Sequence, residues 1–154
     1  MFSPAELQQV EQIKARYPEQ KAALMPVLWM AQHKLGWISD DTMGYVADLL
    51  GLTKAHVLGV VTFYTMYFDK PMGRHHIQVC TNVSCMLKGG DKIYEDLKKQ
   101  LGIDHMQCTA DGKFSLEEVE CMGACGGAPM VVVNEDFHEN VTTSTVGSLL
   151  RSLA

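Results

Sequence analysis

The chain has 154 residues, 47% of them hydrophobic and 20% charged, with a formal net charge of -5. That length suits about one domain or two small lobes and can bury a sizeable core. Its 13 Lys and Arg are scattered rather than striped, which argues against nucleic acid as the main partner, because phosphate contacts need clustered cations.

The charged fraction is slightly low for a globular chain, leaving room for surface covered by a partner. No basic segment followed by an apolar run opens the sequence, so a soluble, intracellular protein is expected. No stretch reaches the ~20 apolar residues that span a bilayer, which predicts no direct membrane insertion. Five cysteines in that compartment point to metal binding or redox chemistry rather than a disulfide framework.

The first half reads as helical. Ser3, Pro4 and Glu6 supply an N-cap, a first-turn proline and a capping-box partner, and Leu7, Val10 and Ile13 follow on one face until Pro18. A second helix is predicted over 19–35, kinked at Pro26 and stopped by Gly36. After the turn "SDD", "TMGYVADLLG" gives a short helix closed by Gly51, and Thr53 caps a fourth helix through about Phe68. The aromatic run "FYTMYF" (63–68) then reads as helix core with a partner-facing edge, and Trp29 and Trp37 as core.

The pattern changes at Arg74. "HHIQVC" alternates as a strand, "GGDKIYEDLKKQLG" is an amphipathic helix ended by Gly102, and "DGKFSLEEVEC" is a turn running into a strand. "PMVVVN" reads as a central strand, and "TTSTVGSLLRSLA" as a capped closing helix. The expected architecture is therefore α/β in two parts: a helical bundle domain (1–73) suited to partner docking, then an α/β domain (74–154) with helices on a small sheet. A short connection near Pro71 and Gly73 joins them.

Four of the cysteines fall in two tight pairs. Cys80 and Cys85 are separated by four residues, Cys121 and Cys125 by three, with 35 residues between the pairs. Both pairs are expected in loops leaving strands, and bringing those loops together would present four thiolates around one point. Such a site holds zinc or an iron-sulfur cluster. Neither pair has the two-residue spacing of common zinc knuckles, and the absence of His from both loops excludes a Rieske centre. Backbone N–H groups of Gly123, Ala124, Gly126 and Gly127 are placed to donate to cluster sulfurs.

Beyond spacing, the stretches "LMPVLWMAQHKLGWIS", "VADLLGL", "VVTFYTMYFDKPMGRHHIQVC", "CTNVSC", "DGKFSLEEVECMGACGGAP" and "VVVN" carry a resemblance. From about Tyr17 to the last helix the chain resembles the E-subunit family of bacterial NADH:quinone oxidoreductases (respiratory complex I), whose members carry a [2Fe-2S] cluster on a thioredoxin-like ferredoxin domain. The resemblance implies that Cys80, Cys85, Cys121 and Cys125 are the cluster ligands, each pair holding one iron. It implies an electron-transfer subunit that exchanges single electrons with the FMN of an adjacent flavoprotein subunit. FMN and NADH belong to that partner, within a peripheral arm on the cytoplasmic side of the membrane. Two alternatives stay open: the homologous subunit of an NAD-linked hydrogenase or NAD-dependent formate dehydrogenase, and, from another class, a zinc-stabilised interaction module.

The remaining candidates have plainer readings. Cys108 lies outside both pairs and reads as an ordinary thiol, and Met122 as packing over the cluster. His75 and His76 read as surface or strand-entry residues, and His33, His56, His105 and His138 show no ligand spacing. "GACGGAP" precedes a strand and contains cysteines, the reverse of a dinucleotide fingerprint, and no phosphate loop occurs. The chain is therefore expected to bind no nucleotide or flavin, to carry no catalytic acid or base, and to need no C-x-x-C thiol-disulfide chemistry.

Overall fold

The computed structural model describes residues 1–153. Ala154, which the sequence pattern includes in the last helix and the second domain, lies outside the described residues. The chain divides into two compact units, Met1–Pro71 and a second beginning at Met72.

The first unit is helical. Its α1 (Pro4–Lys14) starts with the expected reciprocal capping box between Ser3 and Glu6, which satisfies two otherwise orphaned backbone donors. The single helix predicted over 19–35 is instead a short 3-10 turn (Gln20–Ala23) followed by α2 (Leu24–Leu35). Pro26 thus falls in the first turn of α2, where its missing N–H would have had no partner, so no kink is required. Gly36 ends α2 in the left-handed region, at φ 82°.

In α3 (Asp40–Leu50) the residues read as a turn belong to the helix: Ser39 caps it, and Asp40 and Asp41 sit in the first turn, where negative charge is favoured. α4 (Lys54–Phe63) is shorter than predicted, because Tyr64 turns extended. The cause is a tertiary clamp. The buried Gln32 amide donates to Met66 O at 2.8 Å and accepts from Phe68 N–H at 2.7 Å, which fixes the segment after α4 as a loop against α2. "FYTMYF" is therefore only one residue of helix: Phe63 is 76% exposed, whereas Tyr67 is buried and donates its hydroxyl to Met25 O at 2.9 Å. Burial, reinforced by Tyr64, pushes the Tyr67 hydroxyl up to about 12. Val10, Leu24, Leu28, Ile38, Val46 and Leu50 form the centre of this unit, with Trp29 half-buried against it and Trp37 also half-buried. No single described helix is long and apolar enough to cross a membrane.

The second unit is a five-stranded mixed sheet. Its elements are β1 (His75–Cys80), α5 (Val83–Leu87), α6 (Gly90–Leu101), β2 (Gln107–Cys108), β3 (Phe114–Val119), β4 (Val131–Val133), β5 (Asp136–His138) and α7 (Thr143–Ser152). The strand order is β2-β3-β1-β4-β5, with β1 parallel to β3 and antiparallel to β4. β2, β5 and α5 go beyond what the sequence pattern indicates. β5 follows β4 through the two-residue loop Asn134-Glu135, with Asn134 at φ 57°, the left-handed region that Asn tolerates in tight hairpins.

Alternation along the strands sorts the two sheet faces. Ile77, Val79, Phe114, Leu116, Val131 and Val133 face α6 and α7 and pack on Ile93, Leu97 and Val146. Each of these large side chains, once buried, stabilises the unit by about 1.5–3 kcal/mol. The opposite side of β1 and β3 carries His76, Gln78 and Cys80 beside Ser115, Glu117 and Val119.

Candidate functional site

Cys80 is the last residue of β1, held in the sheet as its N–H donates to Met130 O at 3.1 Å. Asn82 then caps α5 and Cys85 lies within that helix, so the expectation of a loop position for Cys85 is corrected. The helix places the Cys85 thiol back against the strand end. Cys80 and Cys85 are buried with Ala128 and Met130, and Met122 packs, partly buried, at the edge of this apolar group.

Close approach of the two segments depends on Gly90 at the start of α6. A Cβ there would stand 2.7 Å from Cys80 O and 3.0 Å from Cys85 O, well inside van der Waals contact, so only glycine lets α6 begin beneath both cysteines.

The second pair follows β3. The Cys80 thiol lies 3.9 Å from the carbonyl of Glu120, the residue before Cys121. Thr81 N–H donates to Val119 O at 3.2 Å, tying the exits of β1 and β3 together. Cys121 and Cys125 are exposed, Cys125 opening the 3-10 turn Cys125–Gly127. Gly123 adopts φ 70° and its N–H donates to Cys121 Sγ at 3.3 Å, so one of the expected sulfur donors already serves a cysteine. Gly127 does not: its N–H is spent on Ala124 O at 3.0 Å, and its Cα packs against the Glu139 side chain.

The thiols interact. Burial pushes the Cys85 thiol above its ordinary value, and the hydrogen bond with the Cys80 thiol and the nearby Cys80 and Cys125 add to the shift, against a smaller opposing effect of the Met130 backbone. Cys80 and Cys125 thus both act on Cys85, and the Cys80 thiol lies against the carbonyl before Cys121. No three His, Cys, Asp or Glu side chains among the described residues stand in finished metal-binding geometry, and none of the five cysteines forms a disulfide. The donor set suits a thiolate-held metal group: four sulfurs from two converging chain segments, no competing carboxylate among them, and backbone N–H groups at the exposed pair.

Cys108 lies elsewhere, exposed on the edge strand β2. His76 corrects its reading as a surface or entry residue. It is buried, its Nδ1 2.8 Å from Ser115 Oγ and its Nε2 2.9 Å from Glu117 Oε2. Ser115 Oγ also accepts the Gly73 N–H at 3.0 Å, and because an ionised carboxylate only accepts, Nε2 is the donor to Glu117. Gln78 Nε2 donates to the same carboxylate oxygen at 2.8 Å. This polar row runs along the sheet face that ends at Cys80. The alternation of "HHIQVC" signals that His76, Gln78 and Cys80 share a face, but not the partners on β3.

The model of the family described as thioredoxin-like [2Fe-2S] ferredoxin matches residues 10–154. The chain is 40% identical over 145 residues to the second E subunit of the NADH-quinone oxidoreductase of Rhizobium meliloti, covering 94% of this chain and 86% of that one. It is 39% identical over 155 residues to the E subunit of the NADH-quinone oxidoreductase of Rickettsia bellii, covering 99% and 93%. Among solved structures, a chain of an air-oxidized NAD+-reducing [NiFe]-hydrogenase superposes with a TM-score of 0.75 at 19% identity, over 84% of this chain but only 22% of the hydrogenase chain; that likeness speaks to fold. The paired cysteines on a small mixed sheet and the full-length similarity agree: the chain belongs to the thioredoxin-like [2Fe-2S] ferredoxin family, alongside the relatives named as E subunits of NADH-quinone oxidoreductase, and is an oxidoreductase subunit.

Proposed function

We propose that this chain is the electron-transfer subunit of an NADH:quinone oxidoreductase and holds one [2Fe-2S] cluster on Cys80, Cys85, Cys121 and Cys125. The observation that carries the ligand set is the meeting of the two cysteine segments: Cys80 and Cys85 buried together with Ala128 and Met130, the Cys80 thiol 3.9 Å from the carbonyl preceding Cys121, and the Thr81 N–H on Val119 O. When bound, such a cluster takes up and returns one electron at a time. The chain's own part is to hold and tune. Cys80 and Cys85 supply a buried, water-poor side, the Gly123 N–H offsets negative charge on Cys121, and no residue serves as general acid or base.

NADH and FMN are bound by an adjacent flavoprotein subunit in this reading, and the assembly lies at the cytoplasmic side of the membrane. The exposed Phe63, Tyr64 and Met66 of the helical unit suit a surface covered by that partner. The hydrogenase-like fold supports a second reading in which the same cluster serves an NAD-linked hydrogenase, and copurifying subunits distinguish the two.

The test is metal and sulfide analysis of anaerobically purified protein. About two irons and two acid-labile sulfides per chain are expected, with a paramagnetic reduced state. Stoichiometric zinc without labile sulfide would instead establish the zinc-held module.

A further inference from the structure

The turn Cys125–Gly127 is covered by a carboxylate. Asn140 N–H donates to Gly127 O at 2.7 Å and Val141 N–H to Pro129 O at 3.2 Å, which pins the chain leaving β5 along residues 127–129. Glu139, just before Asn140, is thereby held over the turn. A Cβ on Gly127 would stand 2.4 Å from Glu139 Cδ, 2.6 Å from its Cγ and 2.7 Å from its Oε2, and these three are the nearest atoms it would meet. Gly127 is not among the glycines with a left-handed backbone. What its missing side chain provides is room, and the Glu139 side chain fills it.

The charge seated there is uncompensated. Between Lys113 and Arg151 the sequence holds the carboxylates Glu117, Glu118, Glu120, Glu135, Asp136 and Glu139, and no Lys or Arg. Glu117 accepts from His76 and Gln78, and Glu118 from the Thr81 hydroxyl. Glu139 has no hydrogen bond or ion pair of its side chain among the described residues. Two residues before Gly127 stands Cys125, which opens the same turn.

We propose that Glu139 is a tuning residue: its carboxylate, seated on Gly127, lowers the reduction potential of the cluster that Cys125 helps to hold. Reduction adds one electron and hence one negative charge to a thiolate-held cluster, and the charges around the cluster are among the determinants of its potential. A fixed negative charge on the turn opposes that electron, whereas the Gly123 N–H on Cys121 Sγ favours it. This role rests on the ligand assignment proposed above.

The experiment is a redox titration of anaerobically purified, cluster-loaded protein at pH 8, where carboxylates are charged and imidazoles are not, with the paramagnetic signal of the reduced state as readout. At a fixed solution potential, Glu139→Gln is expected to raise the reduced-to-oxidised ratio about threefold, the order of one unit charge acting through a watery path, or about 30 mV for a one-electron couple. Glu139→Lys changes the charge by two units and should raise the ratio about ninefold. Both shifts should shrink as ionic strength rises from about 0.01 M to about 1 M, because the screening length falls from about 30 Å to about 3 Å. Asp136→Asn removes the same charge at the hairpin end of β5, where Asp136 pairs with Val133, and should move the ratio less than half as far as Glu139→Gln.

A merely structural role for the Glu139 side chain would give equal, salt-independent shifts for Gln and Lys, or loss of iron from both variants, and either result overturns the proposal. So does an unchanged ratio in Glu139→Gln, or an equal shift in Asp136→Asn. Iron and labile sulfide, measured first, keep the two readings apart. Wild-type protein without a cluster overturns both, whereas a wild-type cluster whose potential ignores Glu139 overturns only the tuning role.

Discussion

His76 Nε2 and Glu117 Oε2 stand 2.9 Å apart across the parallel pair β1 and β3, with side chains only 4% and 12% exposed. Because an ionised carboxylate only accepts, the His76 Nε2–H is a directed donor to Glu117, while Nδ1 is held by Ser115 Oγ. Burial by itself would raise the Glu117 pKa. The hydrogen bonds from His76 and Gln78 outweigh it, and the carboxyl sits below its ordinary value of 4.5.

A carboxyl with a depressed folded pKa contributes stability that is complete above its unfolded pKa and is lost as pH falls through the folded one. Glu117→Gln is therefore expected to cost about 1–3 kcal/mol at pH 7. The gap to wild type should close as pH falls below 4.5. Urea unfolding of both proteins between pH 3 and 8 measures it, and two parallel curves would remove the charge from the explanation.

Ligand and bystander cysteines should separate cleanly. Cys80→Ala, Cys85→Ala, Cys121→Ala and Cys125→Ala are each expected to lose most of the iron and visible absorbance, because an iron left without a thiolate is open to hydrolysis. Cys108→Ser, altered on the edge strand β2, should keep both. Iron per chain across the five variants checks the assignment, and cluster loss in the Cys108 variant with retention in the Cys80 variant would mean that the wrong four had been chosen.

Gly90 and Gly126 offer a pair of matched substitutions. A methyl at Gly90 meets the backbone oxygens of Cys80 and Cys85, while at Gly126 it meets nothing within 4 Å. Gly90→Ala is expected to destabilise by about 1–3 kcal/mol, as overpacking does, and to lower cluster incorporation. Gly126→Ala should leave both within about 0.5 kcal/mol and ordinary scatter. Equal iron content in the two purified variants would show that α6 does not set the spacing of the first cysteine pair.

The aromatic run after α4 contains two opposite roles. Tyr67→Phe removes the bond to Met25 O and should cost about 0.5–1.5 kcal/mol. Phe63→Asp, at an exposed position, should change stability by less than about 0.5 kcal/mol. If the helical unit docks on the flavoprotein, the same substitution weakens that association at least tenfold, as loss of an aromatic anchor does. Calorimetric titration of the two purified subunits supplies the comparison.

Local chemistry was legible in the sequence. Capping at Ser3 and Thr53, the left-handed stops at Gly36, Gly51 and Gly102, and the alternation of β1 each depend on residues within one turn or one strand, and each stands where the pattern puts it. The two cysteine pairs were equally plain, since tight spacing survives any fold. What failed locally failed for a tertiary reason. The fourth helix stops at Phe63 because Gln32, more than 30 residues earlier, claims the backbone of Met66 and Phe68.

The placement of Cys85 on a helix, the contact of Cys80 with the carbonyl before Cys121 and the pairing of His76 with Glu117 were likewise decided by the tertiary structure. Each joins positions brought together by sheet register or by the packing of helices on the sheet, and a register shift of one residue would turn the strand residues His76, Cys80 and Glu117 to the other face. Register is chosen by the burial of the whole apolar face at once, through Ile77, Val79, Leu116 and Val131 together. No short window of sequence contains that sum, which is why the spacing of the cysteines could be read directly and their surroundings in the fold could not.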